Sequence, residues 1–118
     1  MGSETTAGEA RTDTDALPNK KPADLSKFQL RILAVLADAG DAPKGVTVKR
    51  RLQEYYSSDV NPGQLYPNLN ELVETGFVAK GQKDKRTNAY EITNDGQQAL
   101  TSEVKWLAAR TAGVAEEA

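Results

Sequence analysis

Apolar residues recur at helical spacing in four separate stretches of this 118-residue chain. The first stretch, DLSKFQLRILAVLADAG over residues 24–40, has Asp24 or Ser26 as a helix cap and Gly40 as a stop. Its apolar positions form two stripes, the first of Phe28, Ile32, Val35 and Leu36 and the second of Leu30, Leu33 and Ala37. Two stripes predict a helix that is covered on two sides, by the domain core and by another helix, such as one from a second subunit.

Two shorter helices are predicted next, separated by turn-forming residues. The stretch VTVKRRLQEYY, residues 46–56, places Val48, Leu52, Tyr55 and Tyr56 on one face and its basic residues elsewhere. SSDVNPG then interrupts the helical pattern. The third helix is predicted over residues 62–75, ends at Gly76, and turns inward Leu65, Leu69, Leu72 and Val73.

The spacing of apolar residues then changes from the helical period to alternation. FVAK and NAYEIT predict two short strands with Val78, Tyr90 and Ile92 inward, and the polar, basic GQKDKRT between them predicts a hairpin tip. A fourth helix, NDGQQALTSEVKWLAARTAGV over residues 94–114, carries a seam close to heptad spacing at Leu100, Val104, Leu107 and Thr111. Because this helix leaves the domain and cannot bury its seam alone, we predict that it dimerises.

The order helix, helix, helix, hairpin, helix predicts a mainly α fold with a small β-hairpin (α+β), a winged helix-turn-helix with a C-terminal dimerisation helix. We divide the chain into a flexible N-terminal tail (residues 1–23), a winged helix-turn-helix DNA-binding domain (24–93), a dimerisation helix (94–112) and a short tail (113–118). The first tail has too few apolar residues to offset the entropy of ordering. The predicted dimer interface consists of Leu30, Leu33, Leu100, Val104, Trp106 and Leu107.

Composition excludes several kinds of site. The chain has no cysteine and no histidine, which removes disulfides, thiol-based redox sensing, and the commonest metal ligand and general base. No paired-carboxylate, nucleophile–base or phosphate-loop pattern occurs, so we predict neither an enzyme nor a bound metal or cofactor. No apolar run approaches the length of a membrane span, so a cytoplasmic protein without a membrane partner is predicted.

Local charge is more informative than the net charge of −2. Residues 24–110 contain 12 basic and 11 acidic side chains, so the acidic excess lies in the two ends of the chain. The basic residues bunch twice, as Lys44, Lys49, Arg50 and Arg51 and as Lys80, Lys83, Lys85 and Arg86. These bunches are either solvated faces or, beside a DNA-reading helix, contacts to the DNA backbone.

The stretch NPGQLYPNL opens the third helix with residues that disfavour helix interiors. Asn61 is a good N-cap and Pro62 a good first helical residue. Pro67 lacks the N–H that would reach the carbonyl of Gly63, and a glycine there moves away at low steric cost, so the first turn is predicted to be tightened or bent. The exposed start then offers Gln64 to a base edge, although an ordinary polar surface explains the same pattern.

The candidate DNA-binding residues are the exposed positions of this helix start and the basic residues beside it. They are Asn61, Gly63, Gln64, Tyr66, Pro67, Asn68, Lys49, Arg50, Lys83, Lys85 and Arg86. Tyr66 lies at the edge of the apolar arc, which leaves two roles open, a core side chain or a hydrogen-bond donor to phosphate.

The segment LYPNLNELVETGFV resembles the PadR family of winged-helix transcription regulators. The resemblance continues through KGQKDKRTNAYEITNDGQQAL, which matches a basic wing tip, an aromatic-bearing strand and a T-x-x-G helix start, and it covers about residues 24–110. VNPGQLYPNL and DKRTNAYEIT are most similar to haloarchaeal members, which implies a stress-responsive archaeal regulator. Lys44 departs from the aromatic or histidine that many members have there.

Two hypotheses follow from the pattern and the resemblance together. The first is a homodimeric, sequence-specific regulator that binds double-stranded DNA at pseudo-palindromic promoter sites. In a halophilic host, salt ions bound at the DNA interface would compensate for weakened counterion release. The alternative is a winged-helix module that binds other proteins and not DNA, which the acidic net charge favours.

Overall fold

The computed structural model describes residues 21–82, 84 and 86–117. Most of the predicted N-terminal tail, together with Lys83, Lys85 and Ala118, lies outside the described residues. After a single 3-10 turn at Pro22–Asp24, the elements in chain order are α1 (Lys27–Ala39), α2 (Gly45–Tyr55), α3 (Pro62–Glu74), β1 (Val78–Gln82), β2 (Asn88–Ile92) and α4 (Asn94–Glu117). This order confirms the predicted mainly α fold with one hairpin.

The helix ends follow local chemistry. Ser26 caps α1, because its hydroxyl accepts from the N–H of Gln29 at 3.1 Å and its own N–H donates to the Gln29 side-chain oxygen at 3.0 Å. Gly40 closes α1 with a φ of 82°, and Gly76 follows α3 with a φ of 89°. Helix α4 continues to Glu117, so the predicted tail over residues 113–118 is helical up to that residue.

The hairpin is antiparallel and is tied to the start of α2. Its register pairs Val78 with Ile92 and Gln82 with Asn88. Lys44 makes an isolated bridge with Ala89, and the N–H of Tyr90 donates to the Pro43 carbonyl at 2.9 Å. The hairpin, which is the wing, is therefore held at a fixed position relative to α1 and α2.

A tight corner sets the direction in which α4 leaves the hairpin. The Thr93 hydroxyl donates to the Gly76 carbonyl at 2.7 Å and accepts from the N–H of Gly96 at 3.0 Å. A Cβ on Gly96 would lie 2.2 Å from the Phe77 carbonyl oxygen. Only a residue without a side chain fits this approach.

The core lies between α1, α2, α3 and the inner face of the hairpin. Its buried residues are Leu25, Ile32, Leu33, Leu36, Val48, Leu52, Val60, Leu65, Leu69, Leu72, Phe77, Val78, Tyr90 and Ala99. Leu33 is fully buried within this chain, so it has no surface to offer a partner, and its prediction as a dimer-interface residue is wrong. Leu30 and Leu100 are half-buried against the core.

Tyr55 corrects a second expectation. The spacing of apolar residues places it on the same face of α2 as the buried Val48 and Leu52, yet it is 53% exposed. Its hydroxyl accepts from Arg31 at 3.1 Å, and the Arg31 guanidinium lies 4.8 Å from its ring centroid. The bond from Arg31 lowers the pKa of the Tyr55 phenol, and these polar contacts explain why the ring lies at the surface of α1 and α2.

The outer half of α4 carries apolar side chains that the chain itself does not cover. The exposed large apolar residues of this helix are Val104, Trp106, Leu107 and Val114. Trp106 is 55% exposed, and the Arg110 guanidinium stacks on its ring at 4.1 Å from the ring centroid. Thr111 bonds its hydroxyl to the Leu107 carbonyl at 2.8 Å, so it adds no free donor to this surface.

Replacing Gly96 by alanine should destabilise the fold by about 1–3 kcal/mol, because the new methyl group overlaps the Phe77 carbonyl. Gly113→Ala in the same helix is the matched control, since a Cβ there meets nothing within 4 Å. That change should be neutral or stabilise by up to about 1 kcal/mol. Chemical unfolding of both variants measures the difference, and equal stability of the two would contradict the tight corner.

Candidate nucleic-acid interface

The N-terminal half of α3 combines a buried inner face with an exposed, uncharged outer face. Leu65 and Leu69 are buried, whereas Pro62, Gly63, Gln64 and Pro67 are exposed. The acidic residues of this helix, Glu71 and Glu74, lie in its C-terminal half. The start of α3 can therefore approach a negatively charged surface without a like charge on its tip.

The first turn of α3 is capped by Asn61. The Asn61 side-chain oxygen accepts from the N–H of Gly63 at 2.8 Å, which confirms its role as the cap. The Asn61 carbonyl accepts from the N–H groups of both Gln64 and Leu65, each at 2.9 Å. The Lys44 carbonyl accepts the same pair of bonds at the start of α2, so this pattern is typical of a helix start and does not test the tightening predicted from Pro67. Pro67 stands inside the helix without breaking it.

Tyr66 combines packing with exposure, so both of its proposed roles remain available. Its ring lies on the start of α2, where a Cβ on Gly45 would come 2.6 Å from the ring carbon and from the hydroxyl oxygen. The side chain is nevertheless 38% exposed. Gly45 is thus the residue that leaves space for the Tyr66 ring of α3 against the start of α2.

A groove opens between Tyr66 and the wing, and we call it the wing-side groove. It has a volume of about 390 Å³ and is lined by Lys44, Gly45, Val46, Tyr66, Arg86, Thr87, Asn88 and Tyr90. Burial raises the pKa of the Tyr90 phenol, which lines this groove.

The charges around the wing-side groove suit an anion. Lys44 precedes the first turn of α2, which has no acidic residue and no side-chain cap. The partial positive charge of a helix start therefore adds to the cationic side chains of Lys44 and Arg86. This combination is typical of sites that hold phosphate groups.

The wing tip is shaped by Asp84, an acidic residue in a basic segment. Its Oδ1 accepts from the N–H of Arg86 at 2.9 Å and from the N–H of Thr87 at 3.0 Å. The bond from Arg86 is the main cause that lowers the pKa of this carboxyl, with a smaller contribution from the charge of Lys44. Asp84 thus orders the backbone that carries Arg86.

A second groove lies on the opposite side of the α3 start, and we call it the α1-side groove. It has a volume of about 460 Å³ and is lined by Ser26, Lys27, Phe28, Tyr56, Ser58, Asp59, Val60 and Gln64. Gln64 therefore lies at the edge of the exposed face toward α1. Lys27 supplies the cation on this side and Asp59 an opposing negative charge.

The remaining basic and polar candidate residues differ in exposure and in their partners. Arg50 is exposed and Lys49 half-buried on α2, whereas Arg51 pairs with Asp38 of α1 at 3.6 Å. Asn68 is half-buried, and its side-chain oxygen accepts from Gln29 of α1 at 3.1 Å. Lys83 and Lys85 lie outside the described residues.

Three residues beside the start of α3 are not among the DNA-binding residues predicted from the sequence. Lys44 and Lys27 each line one groove, and Val46 stands 63% exposed next to Tyr66. Lys44 belongs to a basic bunch visible in the sequence, which was the only available signal. An exposed valine at a helix start has no sequence signature, because its neighbours come from α3 and the wing.

Other kinds of site have little support in the described part of the chain. Within residues 21–82, 84 and 86–117, no group of three or more acidic, cysteine or histidine side chains is arranged to hold a metal ion. In the same residues, no helix combines the length and the apolar composition needed to cross a bilayer.

Comparison with known proteins identifies what this arrangement is similar to. The transcriptional regulator PadR-like family matches over residues 32–102. RosR of Halobacterium salinarum is 46% identical, with a TM-score of 0.69 over 74% of this chain and 77% of that chain. A complex structure of the same protein, hsRosR-SG, is 44% identical, with a TM-score of 0.72 over 77% of this chain and 80% of that chain.

More distant structures share the fold alone. Bacillus subtilis PadR in complex with operator DNA is 20% identical, with a TM-score of 0.59 over 68% of this chain and 47% of that chain. No curated protein sequence matches this chain.

The wing tip should be insensitive to pH until strongly acidic conditions. The pKa of Asp84 is lowered below its ordinary value of 3.8, so its bonds persist above that pH and are lost as the pH falls below it. We expect the amide NMR shifts of Arg86 and Thr87 to change with a midpoint below 3.8.

The matched variant for this titration is Asp84→Asn, which keeps a side-chain oxygen acceptor and has no charge to lose. Its amide shifts at the wing tip should stay flat through the same acid range. A wild-type midpoint above 3.8 would contradict the assignment of these bonds to an ionised Asp84.

Proposed function

We propose that this chain, which belongs to the transcriptional regulator PadR-like family, regulates transcription as a homodimer with the start of α3 in the major groove of double-stranded DNA. One observation carries this proposal. The exposed, uncharged N-terminal half of α3 lies between two grooves that hold basic side chains, Lys27 on one side and Lys44 and Arg86 on the other. The alternative of a protein-binding module without a DNA role is not retained, because the family consists of transcriptional regulators.

Base recognition would come from a small number of side chains. Gln64 is the long polar residue at the exposed start of α3 and can pair with adenine through both amide atoms. Gly63 and Pro67 add little bulk, and their flat surfaces suit a thymine methyl group. Because so few groups read bases, specificity would depend strongly on DNA shape and on the spacing of two half-sites.

Backbone contacts would come from the wing-side groove and from α2. Lys44, Tyr66 and Arg86 line the groove where a phosphate would lie, and Arg50 is exposed on α2. Such contacts position the protein on DNA without reading sequence.

The second subunit would pack on the outer half of α4. Val104, Leu107, Thr111 and Val114 follow one another at spacings of three and four residues, and Trp106 lies beside this row of residues. In this division, residues 24–93 bind DNA and the helix from residue 94 dimerises. A two-fold dimer would present two α3 helices to a pseudo-palindromic site.

The proposal also covers the location of the protein and the process in which it takes part. We propose a cytoplasmic, non-enzymatic protein that takes part in a stress response, as the likeness of its α3 and wing segments to haloarchaeal members implies. Since the chain has no cysteine, an oxidative signal would have to reach it without a thiol switch.

Two substitutions should separate base reading from backbone binding. Gln64→Ala should change which sequences are selected from a random DNA pool, whereas Arg86→Ala should weaken binding to all sequences alike. Loss of one phosphate contact should also reduce the slope of log affinity against log salt by about 1. Fluorescence anisotropy with selected and random duplexes measures both effects, and similar effects from the two variants would contradict this division of roles.

The same salt titration bears on bound ions. If ions occupy the DNA interface, exchanging the salt at fixed osmolality should change the affinity of the wild-type protein. Unchanged affinity after the exchange would contradict ion binding and leave the division between Gln64 and Arg86 intact.

Leu107→Glu should convert the dimer to a monomer. Removing two symmetry-related leucines from an interface costs about 3–6 kcal/mol, so the dimer dissociation constant should rise by about 100-fold or more. Ser102→Glu adds the same charge at an exposed position on the other side of α4 and should leave the dimer intact. Analytical ultracentrifugation measures both variants, and a dimeric Leu107→Glu protein would place the interface elsewhere.

A further inference from the structure

Gln29 is the one buried polar residue in the described part of the chain, with 2% of its surface exposed. Its side-chain oxygen accepts from the Ser26 N–H at 3.0 Å, and its side-chain nitrogen donates to the Asn68 side-chain oxygen at 3.1 Å. The Asn68 side-chain nitrogen in turn donates to the Gln64 carbonyl at 2.8 Å. Four groups thus form one chain of hydrogen bonds from the cap of α1 to the start of α3.

Backbone groups at both ends determine the orientation of the two amides. The Ser26 N–H can only donate, so the Gln29 oxygen must point toward it and the Gln29 nitrogen must point toward Asn68. The Gln64 carbonyl can only accept, so the Asn68 nitrogen must point toward it. The contact between the two side chains therefore has one polarity, and a flipped amide on either residue would set two like atoms against each other.

This chain of bonds supports α3 where its own backbone bonding is interrupted. Pro67 has no N–H to offer the Gly63 carbonyl, so the first two turns of α3 lack one internal bond. Asn68 follows directly and bonds sideways to α1, 39 residues earlier in the chain. The rotation of the helix start, and with it the direction of Gln64, is then set against α1 as well as by α3 itself.

We propose that Gln29 and Asn68 are a positioning pair that holds Gln64 in the orientation needed to read a base. In this proposal Asn68 acts through this contact and not by touching DNA, since its side-chain oxygen and one of its two N–H donors are engaged within the chain. The inference rests on the proposed function, which places the start of α3 in the major groove. It adds that discrimination between sequences depends on a buried residue of α1.

The test compares binding to a duplex selected by the wild-type protein from a random pool with binding to random duplexes of the same length. Gln29→Leu and Asn68→Ala should each lower the ratio of the two affinities about tenfold, the order of one base contact. Affinity for random DNA should stay within about twofold, because the phosphate contacts are untouched. The double variant should be no worse than either single variant, as expected for residues that act through each other.

Gln97→Leu is the matched control, since it is the same substitution at an exposed position of α4 and should leave the ratio unchanged. Gln29→Glu tests the same bond, because it keeps an oxygen that accepts from Ser26 and places a second carboxyl oxygen where the side-chain nitrogen donates to Asn68. While that buried carboxyl is ionised it cannot donate, so discrimination should be low at high pH and should recover as the carboxyl is protonated and donates again. The wild-type ratio should not follow this pH profile.

The outcomes separate the inference from the function on which it rests. A wild-type protein that does not discriminate between duplexes would overturn the proposed function and this inference together. Discrimination by the wild type that survives in folded Gln29→Leu would overturn the inference alone. Loss in Asn68→Ala without loss in either Gln29 variant would identify Asn68 as a direct DNA contact and would also overturn it.

Discussion

The burial of one face of α3 is the constraint on which the rest of this structure depends. Leu65, Leu69 and Leu72 are fully buried, and each buried leucine contributes about 1.5–3 kcal/mol. Because these side chains must point into the core, the opposite face of the same helix must point outward. The uncharged residues at its start are thereby presented to a partner, and the two grooves form where α1 on one side and the wing on the other approach the same helix.

Residues with small or missing side chains let the surrounding elements come this close. Gly45 gives the Tyr66 ring a place on the start of α2, and Gly96 lets α4 begin against the Phe77 carbonyl. A methyl group on Gly45 would displace the Tyr66 ring, and a methyl group on Gly96 would collide with the Phe77 backbone. The same helix start contains Pro67, whose missing donor leaves it dependent on support from α1. Glycine weakens an isolated helix, but in this fold Gly45 and Gly96 leave the space that neighbouring elements occupy.

Hydrogen bonds then fix the orientation of the elements that apolar burial brings together. The wing would be a mobile two-stranded ribbon by itself, but Tyr90 binds it to the α1–α2 connection and Asp84 orders its tip around Arg86. Gln29 carries the corresponding role on the other side of α3. These bonds contribute little net stability each, about 1 kcal/mol. Their effect is directional, because a buried donor or acceptor tolerates only one arrangement of its partner.

The sequence by itself determined the elements of this fold, because helix caps, glycine stops and apolar spacing act between residues one or two turns apart. Asn61 and Ser26 cap the helices from these local signals, and α3 was predicted to within one residue of its end. Only the tertiary structure decided that Leu33 is buried within the chain, that Tyr55 is exposed and that Asn68 turns toward α1. Those outcomes depend on partners far away in the chain, and their geometry exists only once the helices have packed.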